Sequence, residues 1–233
     1  MFGNLQTQFP PITKWWTISI VAITVLSSLG IIQAASLLYF FPFVWYKLEI
    51  WRIVTSFLYL GPPSFSFLMG ILFFFASVGR AETMFFELYD FVYMSIIFAG
   101  FLLFIASFIP LGILAPGFSF ACLYYYCRKN PNGVQSVYGI FTVPTKYFPW
   151  ISLVISLLMG GLPIVQFFGL LVAHFYFVMK TYYPNYIQTP NFLKQLFPSR
   201  NFRVREDNLR QNIPQNDPFP WGHGQRLGEN FNN

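Results

Sequence analysis

The sequence predicts an all-α, polytopic membrane protein, and three observations carry that prediction. Hydrophobic residues make up 55% of the 233-residue chain, aromatic residues 22% and charged residues only 9%, far below the roughly 25% charged content of a soluble domain. Six apolar runs follow one another, separated by proline, glycine and basic turn sequences. Lysine and arginine gather on one side of those runs, which fixes an orientation.

In chain order, residues 1–14 form a polar cytosolic segment broken by Pro10-Pro11, and Lys14-Trp15-Trp16 is an interfacial anchor. The first helix is expected from Trp15 to about Ala35. Residues 36–62 are too aromatic for a solvated loop and too charged for a span, so they should form a half-embedded loop with short helices. A second helix runs from Ser64 to about Ser77 and then leaves lipid through Val78-Gly79-Arg80-Ala81-Glu82. The third covers Phe91 to Phe108, and Pro110-Leu111-Gly112 turns the chain into a fourth, Ile113 to Cys127. Arg128-Lys129-Asn130-Pro131-Asn132-Gly133 ends that helix with positive charge and turn formers. The fifth and sixth run from Phe148 to Leu162 and from Ile164 to Tyr182, closing a membrane domain over residues 15–182. Thr189 is placed to cap a short amphipathic stretch beginning at Pro190, within an interfacial segment 183–197. Residues 198–233 are polar and expected to be a disordered cytosolic tail.

With six helices, Lys14, Arg80, Arg128, Lys129, Lys146, Lys180 and the tail basics share one side, so both termini face the cytosol. No cleavable signal peptide is evident, and insertion through the first helix fits delivery to the endoplasmic reticulum membrane. The net charge of +6 does not form a patch interleaved with exposed aromatics, which argues against nucleic-acid binding. Cys122 and Cys127, five residues apart, suit buried packing and not a metal site. No metal or cofactor is expected.

Beside these readings stands a resemblance. Phe9-Pro10-Pro11-Ile12-Thr13-Lys14, Ile50-Trp51-Arg52-Ile53-Val54-Thr55-Ser56-Phe57-Leu58, Asp90-Phe91-Val92-Tyr93-Met94, Arg128-Lys129-Asn130-Pro131, Phe148-Pro149-Trp150 and Ala173-His174-Phe175-Tyr176-Phe177 closely resemble the Derlins, the Der1-like branch of the rhomboid superfamily. The likeness covers residues 9–197 and the tail. It implies a six-transmembrane-helix, rhomboid-like fold and a pseudoprotease that helps misfolded proteins leave the endoplasmic reticulum for ubiquitination and degradation.

Active rhomboids use a Ser nucleophile in a Gly-x-Ser-Gly turn of the fourth helix and a His in the sixth, the imidazole taking the serine proton. Gly117-Phe118-Ser119-Phe120 and His174 stand in those helices. Phe120 replaces the second glycine, however, and counting back from Asn130-Pro131 places Gly117 at the nucleophile position. Ser119 is therefore read as a hydroxyl bonded to the carbonyl four residues earlier, and no catalytic residue is assigned. His174 is read as structural, since no second titratable group has an evident reason to sit beside it. Gly169 and Ala173 form a small-x-x-x-small pair for close helix approach. Trp51-Arg52 is expected to hold the first loop together, as the resemblance implies.

The tail carries Trp221-Gly222-His223-Gly224-Gln225-Arg226-Leu227-Gly228. Trp221 and Leu227 are its apolar anchors, Gly222, Gly224 and Gly228 let an extended peptide lie close to a partner, and Arg226 adds charge. The order resembles the motif by which several Derlins recruit the valosin-containing AAA+ ATPase. The implied partners are that ATPase, a ubiquitin-ligase complex of the endoplasmic reticulum, misfolded clients and the lipid bilayer, with a homo-oligomer also compatible. Two alternatives stay open: an active intramembrane serine protease using Ser119 and His174, and a structural subunit of a larger membrane complex.

Overall fold

The computed structural model describes residues 10–137, 141–158, 163–183 and 189–196, all of which lie in the unit Met1–Pro198. The chain begins with α1, Pro11–Ser28, where Pro11 occupies the first helical turn and loses nothing by lacking an N–H. This start lies four residues before the expected one, and the helix ends earlier too, with Gly30 at φ +76° reversing the chain. The helix begins at the expected break, Pro10-Pro11.

Three short helices follow in the first loop: α2 at Ala34–Leu37, α3 at Phe41–Tyr46 and α4 at Trp51–Thr55. Then comes α5, Phe65–Met84, opened by Ser64, whose hydroxyl accepts the Phe67 N–H at 3.2 Å. It continues past Ser77 to Met84, and Val78, Gly79, Ala81 and Glu82 are buried in its last turns.

Glu82 explains that continuation. Its carboxylate accepts the backbone N–H groups of Ile12 at 3.1 Å and Thr13 at 2.8 Å and the Thr13 hydroxyl at 2.7 Å. The first turn of α1 thus obtains from α5 the anionic cap that its own Pro10 cannot supply. A carboxylate only 2% exposed is tolerable because these donors surround it.

The helices α6, Leu88–Phe108, and α7, Ala115–Lys129, are joined by a turn at Gly112, φ +68°. Tyr39 donates its N–H to the Gly112 carbonyl at 2.8 Å, pinning the first loop to that turn. Next comes a two-stranded antiparallel hairpin, β1 at Val134–Val137 and β2 at Phe141–Pro144, which the sequence reading did not anticipate. Then come α8, Phe148–Leu158, α9, Ile164–Tyr182, and α10, Asn191–Leu196. The Thr189 hydroxyl does not cap α10. It donates to the Asp90 carboxylate on α6.

Among the described residues three helices, α5, α6 and α9, are long and apolar enough to cross a membrane; α1, α7 and α8 complete the six expected runs. The fold is that of an all-α polytopic membrane protein with the small hairpin added. Its centre is α7, where Ala115, every residue from Gly117 to Tyr125, and Cys127 are buried. Around it Phe74, Phe91, Phe98, Leu170 and Tyr176 form one hydrophobic cluster. Outward-facing Phe104 and Phe108 on α6 are the lipid-side counterpart of that core.

Candidate functional site

Helices α7 and α9 meet through glycine. A Cβ placed on Gly169 would stand 1.9 Å from the Gly117 carbonyl oxygen, and one on Gly117 would stand 2.8 Å from the Val165 carbonyl. The two backbones touch, and only glycine permits it. Ala173, one turn further along α9, is fully buried in the same packing.

Beside this contact lies a cavity of about 460 Å³ bounded by α5, α7, α8 and the start of α9. Met69, Phe73 and Phe120 supply apolar walls, and Ser119, Ser152, Ser156 and Gln166 supply neutral polar groups. None of its lining side chains is charged. Phe120 packs on Phe73 with ring centroids 4.8 Å apart, so the residue that replaces the expected glycine forms a wall.

Ser119 is 2% exposed, and its hydroxyl donates to the Pro116 carbonyl at 2.8 Å, three residues back where four were expected. His174 is bonded elsewhere: its Nδ1 lies 2.7 Å from the Tyr124 hydroxyl. Arg128 donates its Nε–H to the same hydroxyl oxygen at 2.8 Å. The Tyr124 hydroxyl thus bridges Arg128 and His174, and the imidazole tautomer sets the direction of its bond to Nδ1. A titratable neighbour for His174, thought absent from the sequence, is Tyr124, and its spacing from Arg128 by one helical turn is the signal that was passed over. Because Gly117 faces Gly169 and Tyr124 faces His174, the two helices run parallel. Ser119 then lies five residues below the level of His174, about 7 Å along the axis. The structure does not join Ser119 to His174.

In the first loop Arg52 is buried while Trp51 is 55% exposed. Arg52 donates through Nη1 to the carbonyls of Ala35 at 2.6 Å and Leu38 at 2.9 Å, and through Nε to Glu49 at 2.5 Å. Its guanidinium also stands 5.1 Å from the Phe43 ring centre. One side chain thus ties α4 to both ends of α2 and to α3. The tail residues Trp221, Gly222, Gly224, Arg226, Leu227 and Gly228 lie outside the described residues.

A profile of the Der1-like family matches residues 9–195. The chain belongs to the Der1-like family. Among curated Der1-like relatives, it is 30% identical to Derlin-1.2 of Zea mays over 90% of this chain and 88% of that protein. It is 27% identical to Derlin-1 of Homo sapiens over 97% and 98%, and 31% identical to Derlin-1 of Oryza sativa subsp. japonica over 83% and 84%. Besides Tyr124, sequence reasoning missed two groups in this Der1-like chain: Glu82, whose partners lie 69 and 70 positions away, and Gln166, an amide within an apolar run. An uncharged polar residue inside a span was the available signal for the second.

Proposed function

We propose that the chain is a non-catalytic Derlin-type component of endoplasmic-reticulum-associated degradation, residing in that membrane with both termini in the cytosol. Misfolded clients enter the bundle beside α7, and the tail motif from Trp221 to Gly228 recruits the valosin-containing AAA+ ATPase. The observation that carries this reading is the uncharged, partly polar cavity between α5 and α8 within a Der1-like chain. Such a cavity offers hydrogen-bonding partners to a polypeptide that would otherwise cross hydrocarbon unpaired. On this reading the bundle also thins the bilayer locally, shortening the distance over which a client backbone lacks partners.

The absence of proteolysis in this reading is supported by the separate bonding of Ser119 and His174 and by the glycine contact that fills the position counted as the nucleophile's. On this reading a ubiquitin-ligase complex of the endoplasmic reticulum acts on the emerging client. Covalent attachment of the motif to the membrane domain raises the local concentration of the ATPase even when the peptide's own affinity is modest.

A pull-down with residues 215–233 tests the recruitment. The wild-type peptide captures the ATPase, and one carrying Trp221→Ala and Leu227→Ala does not; equal capture by both refutes it. A fluorophosphonate probe tests the rest. No labelling that depends on Ser119 is expected, and a signal lost in Ser119→Ala would establish the protease reading instead.

A further inference from the structure

We propose that the cavity between α5 and α8 takes a neutral hydrogen-bond donor carried by a membrane-embedded client helix, with Gln166 as the acceptor that selects it. This deepens the client-binding reading above and rests on it.

The inference comes from the hydrogen bonds of the polar groups in the cavity wall. The Ser119 hydroxyl proton goes to the Pro116 carbonyl and the Ser152 hydroxyl proton to the Phe148 carbonyl at 2.8 Å, so both oxygens retain only acceptor capacity. Gln166 on α9 donates one of its two Nε2–H groups to the Ser156 hydroxyl oxygen of α8 at 2.6 Å. Among the described residues its Oε1 is buried and has no hydrogen-bond partner. The wall therefore holds an unmatched buried carbonyl, a state native interiors avoid.

Three classes of occupant are separated by this arrangement. An ionised side chain finds no counter-charge among the lining residues and stays costly to desolvate. A wholly apolar segment fills space but leaves Gln166 Oε1 unmatched. A neutral N–H or O–H, as on tryptophan, asparagine, serine or an unravelled helix turn, satisfies that atom without bringing charge. Such groups are unusual on the lipid face of a properly assembled membrane protein, where they would lack partners. A donor-seeking cavity thereby distinguishes a segment that has lost its partners from one that has not.

The test uses the full chain in phosphatidylcholine vesicles with a polyleucine host helix whose central residue is tryptophan or its sulfur isostere benzothienylalanine, which lacks the indole N–H. Flanking photo-leucines report proximity by crosslinks mapped to Met69, Phe73 and Ile113, which line the cavity. The tryptophan host crosslinks about ten-fold more than the isostere, the scale of one hydrogen bond to an otherwise unmatched acceptor. Gln166→Met removes the difference, while hosts with central leucine or lysine remain at the isostere level. The isostere comparison on the wild-type chain decides the matter even if Gln166→Met fails to fold. Equal crosslinking of tryptophan and isostere overturns donor selection and leaves the cavity as a client site; no cavity crosslinks from any host overturn both.

Discussion

Replacing Gly169 by alanine puts a methyl group 1.9 Å from the Gly117 carbonyl oxygen, and that oxygen belongs to a helix backbone that has no rotamer to escape into. A carbon-to-oxygen contact needs about 3.3 Å, so α9 must retreat from α7 by about 1.4 Å. A gap of that size forfeits most of the dispersion between facing side chains. Leu170, Ala173 and Tyr176 all face this seam from α9 with 4% exposure or less. The cost falls at the upper end for overpacking, about 3 kcal/mol, and lowers the melting midpoint by about 6–12 °C for a domain of this size. Gly100 on α6 is the control, since nothing lies within 4 Å of a Cβ built there. Gly100→Ala should be neutral or stabilising by up to about 1 kcal/mol, through relief of backbone entropy. The protein carries its own reporter in Cys122 and Cys127, both buried on α7, which a thiol-reactive fluorogenic dye labels only on unfolding. A Gly169→Ala midpoint within about 2 °C of wild type, or below-wild-type melting of Gly100→Ala matching that of Gly169→Ala, would refute the contact argument.

Two further outcomes follow from the buried polar anchors. Glu82→Ala removes the acceptor of three hydrogen bonds and should cost about 3–5 kcal/mol, Glu82→Gln less, because donors to an ionised acceptor contribute about 1.5–3 kcal/mol each and do not add fully. Faster hydrogen exchange at the Ile12 and Thr13 amides is the readout, and unchanged protection would show that α1 caps itself. Arg52→Lys should be nearly as damaging as Arg52→Ala, since a single ammonium cannot serve two carbonyls, Glu49 and a ring face together. Limited proteolysis of residues 34–60 reports this, and wild-type resistance in Arg52→Lys would count against the fork geometry.

How far the sequence revealed the fold depended on whether the deciding interaction was local. The helix Ile164–Tyr182 was legible to the residue because Pro163 starts it and a polar aromatic run ends it. The role of Glu82 was not, because its partner Thr13 lies on α1, 69 positions away. The hairpin was legible in principle, since Val134 to Pro144 is rich in β-branched and aromatic residues, but its strands are only four residues each. At the site, Gly169 and Ala173 could be read as a close-packing face, yet only the folded chain names Gly117 as what they meet. Thr189 shows the opposite error: a sound local rule for capping lost to a tertiary partner, Asp90.

The bond from Glu82 to Thr13 also sets an order of events during synthesis. A ribosome adding about 5–20 residues per second reaches Glu82 roughly 3–14 s after Thr13. Throughout that interval the leading turn of α1 lacks the Glu82 carboxylate, and Pro10 supplies no side-chain cap. The N-terminal helix therefore enters the membrane unlatched and is locked only once the second long helix has followed it in. A chain stalled or truncated between those two points presents an open end to the machinery that inspects nascent membrane proteins.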